Sequence, residues 1–125
     1  MTPRLLVLDD DPTILSLLGT YFGSLGWQVE ACADADRALR LVGSEAPFDA
    51  VICDLHFTPA REAEGMEIVA RARERRPGAA VLLFTAAADA EVRESALRRG
   101  ADEVIAKPAS LASLRDAALR AMKKP

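Results

Sequence analysis

The sequence predicts an α/β fold: an open, doubly wound sheet of five parallel strands, with helices layered on both faces. Three observations lead there. Short stretches rich in branched apolar residues recur along the chain, each long enough for a strand and too short for a helix. Segments with apolar residues three and four apart lie between them. The strand starts fall near positions 5, 28, 50, 80 and 104, at intervals of 23, 22, 30 and 24 residues. Strands alternating with helices argue for a parallel sheet covered on both sides. Two-sided burial accounts for strands that are continuously apolar rather than alternating. A closed barrel needs eight such units, so five imply an open sheet.

The five strands are expected at Leu5–Leu8, Val29–Cys32, Ala50–Cys53, Ala80–Phe84 and Val104–Ala106. The first helix is the clearest. Ile14, Leu15, Leu17, Leu18, Tyr21, Phe22 and Leu25, spaced three and four apart, are expected on one face. Asp11 suits its N-cap, Pro12 its first turn, and Gly26 its stop. The second helix is marked by Ala35, Ala38, Leu39 and Val42. The third is marked by Ile68, Val69 and Ala72, the fourth by Val92, Ala96 and Leu97, and the fifth by Leu111, Leu114, Ala118 and Met122. Pro77-Gly78 and Gly100 end the third and fourth. One unit is longer than the rest, and its excess lies between Asp54 and Gly65, read as a long loop over 55–64.

A chain of 125 residues is read as a single domain, 1–125. Half its residues are hydrophobic and 28% are charged, which excludes a disordered chain. Its net charge of −3 argues against direct nucleic-acid binding. No apolar run approaches the roughly 18 residues of a membrane span, so membrane insertion is not expected. The start MTPRLLVLDDD lacks the apolar region of a signal peptide, so a cytoplasmic location is expected. Cys32 and Cys53 are too few for a disulfide framework and read as buried side chains. Trp27 and Tyr21 read as packing residues.

In an open parallel sheet, ligands bind at the carboxyl ends of the strands. The first strand here runs into Asp9-Asp10-Asp11, the third into Asp54, the fourth into Thr85 and the fifth into Lys107. Carboxylates at about 4 Å repel by about 4 kcal/mol at an effective dielectric near 20. Such a cluster must raise a pKa or hold a cation. An all-oxygen donor set suits Mg²⁺. Lys107 adds a point charge for a phosphoryl oxygen, and Thr85 adds a hydroxyl. Together these groups read as a phosphoryl-transfer site, with an aspartate as covalent acceptor. Asp11 reads as a helix cap rather than a ligand, and His56 as an exposed loop residue.

The segments LLVLDDDPTI (5–14), AVICDL (50–55), LLFTAAA (82–88) and GADEVIAKP (100–108) resemble a response-regulator receiver domain. This is the CheY-like (βα)5 three-layer sandwich of two-component signalling. The resemblance implies that Asp54 accepts a phosphoryl group from the phosphohistidine of a sensor histidine kinase or phosphotransfer protein. It implies that Asp10 ligates Mg²⁺ directly, that Asp9 supports the ion, and that the backbone carbonyl of His56 is a further ligand. Thr85 and Lys107 would contact the phosphoryl group, with the small Ala86 leaving room for it. His56 and Ala87 would tune a slow self-hydrolysis. The resemblance thus implies a self-phosphorylating, self-dephosphorylating signalling domain that changes its binding to a downstream protein.

Three departures from the family pattern bear on output. About three residues are inserted after Asp54, Val104 stands where the family often has Tyr or Phe, and Ala109 replaces a common Phe. Any switch is therefore expected to run through Thr85 and the loop after it, or through 55–64. The charged residues Glu91, Arg98, Glu103 and Arg115 would lie on a face that family members often use for signalling, and read equally as a solvated surface.

Two other readings compete. One is a receiver-like interaction module insensitive to phosphate. The other is a haloacid-dehalogenase-type phosphatase, since Asp9-Asp10-Asp11-Pro12-Thr13 fits its first motif. There Asp9 would be the nucleophile and Asp11 the general acid, and Asp54 would have no role. No output domain follows Pro125, so the chain reads as a stand-alone receiver or as part of a longer regulator.

Overall fold

The computed structural model describes residues 2–54 and 59–122. Five strands, β1 (Arg4–Leu8), β2 (Gln28–Cys32), β3 (Ala50–Cys53), β4 (Ala80–Thr85) and β5 (Glu103–Ala106), form one sheet in the order β2-β1-β3-β4-β5. Every pairing is parallel. The helices are α1 (Pro12–Ser24), α2 (Ala35–Val42), α3 (Pro59–Arg75), α4 (Ala90–Arg99) and α5 (Leu111–Met122). The expected strands and helices are all present. None of the described helices is long and apolar enough to cross a membrane.

The alternation of side chains along each strand divides the core in two. Leu5, Val7, Ala50, Ile52, Ala80, Leu82 and Phe84 face a cluster with Leu18 and Phe22 of α1 and Leu114 and Ala118 of α5. Leu6, Leu8, Val51, Cys53, Val81 and Leu83 face the opposite cluster, with Ala38 of α2, Val69 of α3 and Ala96 of α4. Crossovers of one hand produce this arrangement. The chain runs from β1 outward to β2, then back across β1 to β3, β4 and β5. The direction reverses between β1 and β3, and there the helices part to opposite faces.

Two expectations need correction. The strands are not all buried on both faces. β1, β3 and β4 are, apart from Arg4, but β2 and β5 lie at the edges and are largely half-buried or exposed. An edge strand meets a neighbour on one side only, so Gln28 and Glu30 are tolerated there. Nor is 55–64 a loop throughout, because α3 begins at Pro59. Proline suits a first helical turn, and the Ala and Glu that follow are strong helix formers. Much of the added length therefore enters a helix.

Local signals set the other helix ends. Asp11, as expected, accepts from the Thr13 N–H and caps α1. Asp34 and Asp89 cap α2 and α4 in the same way. Gly100 closes α4 with φ +114°, a conformation open mainly to glycine.

Candidate functional site

The β1/β3 reversal is where an open sheet forms a crevice at its carboxyl edge. β1 delivers Asp9 and Asp10 there, and β3 delivers Asp54. The Asp54 N–H donates to the Leu8 carbonyl at 2.9 Å, and the Asp9 N–H to the Cys32 carbonyl at 3.1 Å. Backbone pairing thus fixes both acids just past the last strand residues. One carboxylate oxygen from each of Asp9, Asp10 and Asp54 lies within 4.8 Å of the others. Asp9 and Asp54 are buried, 2% and 8% exposed, whereas Asp10 is exposed.

Lys107 reaches this cluster from the end of β5. Its Nζ lies 2.7 Å from Asp9 Oδ2 and 3.4 Å from Asp54 Oδ2. The Phe84 ring lies beneath it, 5.3 Å from Nζ to the centroid. Its backbone N–H donates to the Thr85 carbonyl at 2.9 Å, tying the lysine to the end of β4. The other oxygen of Asp9 accepts from the Asp11 N–H at 2.9 Å. Asp9 is therefore engaged on both sides, by a cation and by a turn. Thr85 is fully buried, and its hydroxyl accepts from the Ala87 N–H at 3.1 Å.

The structure brings together Asp9, Asp10, Asp54 and Lys107, and sets Thr85 on the neighbouring strand end. His56 lies outside the described residues. Ala87 is held against Thr85 by its backbone. Asp11 is exposed and commits an oxygen to Thr13, as a cap does. Sequence reasoning gave no role to Asp102, although it lies in the 100–108 segment. Its Oδ2 accepts from Arg73 Nη2 at 2.7 Å and from the Val81 N–H at 2.8 Å. The partner is 29 positions away on α3, so no local pattern announces it.

Three oxygen donors with no sulfur or imidazole among them fit a hard divalent cation. Cys53 precedes Asp54, but its thiol faces the core. Burial, reinforced by the charges of Asp54 and Asp9, holds that thiol far above its ordinary pKa of 9.0. Burial also raises Cys32, against the opposing influence of Arg37. For Lys107, burial is the largest single influence and lowers the pKa. The Asp9 hydrogen bond and the charges of Asp54 and Asp9 together outweigh it, so the net shift is upward.

All three shifts have the same sign for stability. A raised folded pKa contributes stability that is present below the unfolded value and lost as pH rises through the folded one. The thiol contribution should begin to fall near pH 9.0, and that of Lys107 only above 10.5. Urea unfolding followed from about pH 8 to about pH 11 should show stability level at first and decreasing from near pH 9.0 upward. Cys53→Ala should flatten the early part of that slope. An unchanged slope in the variant would contradict the assignment.

The strand order and the acid cluster at the reversal place the chain in the CheY-like class of α/β domains. Residues 5–119 match the response regulator receiver domain family, and the chain belongs to that family, the receivers of two-component systems. It is 34% identical over 113 residues to the transcriptional activator protein PfeR of Pseudomonas aeruginosa, covering 90% of this chain and 35% of that protein. It is 31% identical over 115 residues to the photosynthetic apparatus regulatory protein RegA of Rhodobacter capsulatus, covering 92% and 60%. The chain thus spans about a third to three-fifths of the length of these relatives. A CheY-like receiver domain protein from Methanospirillum hungatei superposes with a TM-score of 0.86 at 27% identity, covering 98% of this chain and 94% of the other. A response regulator from Burkholderia pseudomallei, crystallised with a phosphorylated aspartic acid, a calcium ion and citrate, superposes with a TM-score of 0.82 at 29% identity. That match covers 93% of this chain and 66% of the other.

Proposed function

We propose that Asp54 accepts a phosphoryl group from the phosphohistidine of a sensor histidine kinase or phosphotransfer protein. The observation that carries this reading is the placement of a buried Asp54 carboxylate beside Lys107 Nζ, 3.4 Å away, and beside Asp9 and Asp10. A carboxylate oxygen of Asp54 attacks phosphorus. The P–N bond breaks, and its electron pair stays on the imidazole nitrogen, which takes up a proton. Lys107 neutralises the phosphoryl oxygens, and the Thr85 hydroxyl donates to one of them. The site is mostly a means of positioning and charge neutralisation.

Asp10 and Asp54 are the side chains that would ligate Mg²⁺, with Asp9 in support and the His56 carbonyl as the backbone ligand. When bound, the ion offsets the mutual repulsion of the acids and the charge of the incoming phosphoryl group. Hydrolysis of the aspartyl phosphate returns the resting state, with His56 and Ala87 tuning its rate. The domain is read as acting in the cytoplasm, and phosphorylation is read as changing its affinity for a downstream protein.

The test is intact mass after incubation with Mg²⁺ and a small phosphodonor. One added phosphoryl group is expected, labile to hydroxylamine and absent from Asp54→Asn. An unchanged mass would favour the phosphate-insensitive interaction module. A covalent intermediate that survives Asp54→Asn would point to Asp9 and to the phosphatase alternative.

A further inference from the structure

With Val104 in place of an aromatic, this receiver has no ring to swing at β5. An arginine, however, spans the same gap. Arg93, in the first turn of α4, donates from Nε to the Ala88 carbonyl at 3.1 Å. The same guanidinium donates from Nη1 to the Val104 carbonyl at 2.8 Å. Ala88 belongs to the β4–α4 loop, and Val104 to β5.

The loop end of this link begins at the site. The Thr85 hydroxyl accepts from the Ala87 N–H at 3.1 Å. Ala87 is bonded to Ala88, whose carbonyl is held by Arg93. The sequence of contacts from Thr85 through Ala87, Ala88 and Arg93 to Val104 has no gap. Its far end is a backbone group that the sheet leaves open. Lys107 pairs inward with the Thr85 carbonyl. Backbone groups alternate sides along a strand, so the Val104 carbonyl points away from β4. Val104 and Ala88 also pack in one apolar cluster. A guanidinium is planar, with its donors in a fixed fork. Two carbonyls held by one rigid fork move together.

We propose that Arg93 is a positioning residue that transmits movement of the Thr85 loop to the outer edge of β5. This rests on the phosphoacceptor reading of Asp54. When Thr85 turns its hydroxyl toward a phosphoryl oxygen, Ala87 and Ala88 follow, and the fork draws Val104 with them. The segment that responds is then the exposed edge of the sheet, where a partner is able to sense it.

Amide exchange tests this, with beryllofluoride and Mg²⁺ as the phosphoryl mimic. In the parent, protection is expected to change both in 86–89 and in 103–106. In Arg93→Ala the change in 86–89 should persist and that in 103–106 should vanish, with phosphoryl uptake unaltered. Arg93→Lys keeps the charge without the fork and should behave as Arg93→Ala does. It carries the test by itself if the alanine variant does not fold. A response of 103–106 that survives in Arg93→Lys overturns the proposal while leaving the phosphoacceptor reading intact. A parent that changes nowhere and gains no phosphoryl group overturns both.

Discussion

Replacing Lys107 with glutamine should slow phosphoryl uptake from a small donor by about a hundredfold, the usual effect of removing one preorganised charged donor. Its ammonium lies 2.7 Å from Asp9 and 3.4 Å from Asp54, already where phosphoryl oxygens would arrive. Lys107→Arg should not restore the rate, because a broad planar fork does not replace a point charge in that space. The same change should also affect folding. Asp9 is 2% exposed and would lose its cation, at a cost of about 2 kcal/mol. Adding Asp54→Asn to Lys107→Gln should recover part of that loss, since one fewer negative charge remains uncompensated. Uptake rates by intact mass and urea midpoints for the two single variants and the double variant measure both effects. A full rate in Lys107→Gln would remove the lysine from the chemistry.

The second large effect lies far from the acids, where α3, the end of α4 and the start of β5 meet. Arg73 Nε donates to the Gly100 carbonyl at 2.9 Å, Nη1 to the Ala79 carbonyl at 2.9 Å, and Nη2 to Asp102 at 2.7 Å. Asp102 is nearly buried in this pair, its side chain 7% exposed. Arg73→Ala should therefore cost about 3–5 kcal/mol, as removal of one partner of a buried ion pair does. Gly100→Ala should cost about 2–3 kcal/mol by a different route. Its φ is +114°, and a new Cβ would stand 2.6 Å from Arg73 Cγ and 2.7 Å from Arg73 Cβ. The two costs should not add. Alanine at 73 keeps its Cβ, 2.7 Å from the new methyl, and lifts only the 2.6 Å contact with Cγ, so Gly100→Ala should be somewhat milder in the Arg73→Ala background. Strict additivity of the unfolding free energies would show that the collision is relieved some other way.

Much of this architecture was legible in the chain. Branched apolar runs and Asp11-Pro12 located β1 and α1, because strand burial and helix capping are local demands. The positions of Asp9, Asp10, Asp54, Thr85 and Lys107 followed from one rule, that parallel strands present their carboxyl ends together. What escaped depends on distance or on competition between neighbours. Arg73 and Asp102 meet only once β4 and α4 have been laid down between them. Arg93 is an ordinary exposed helix residue until its two carbonyl partners are placed. Pro59 serves a turn and a first helical turn equally well, so local pattern does not separate a loop from a helix start within 55–64. The place of β2 at the edge is a matter of topology, which its own residues do not announce.

The two-sided core has a further consequence for how this chain tolerates change in length. Leu5 and Val7 belong to one apolar cluster, Leu6 and Leu8 to the other. Deleting one residue within β1 would send each set to the wrong layer and draw the acids that follow out of the crevice by a strand step. Added residues are harmless only where they extend a connection or the start of a helix, as in the stretch before Gly65. The spacing from the strand interior to its acidic end behaves as a fixed ruler, and variation is confined to the parts that hang from it.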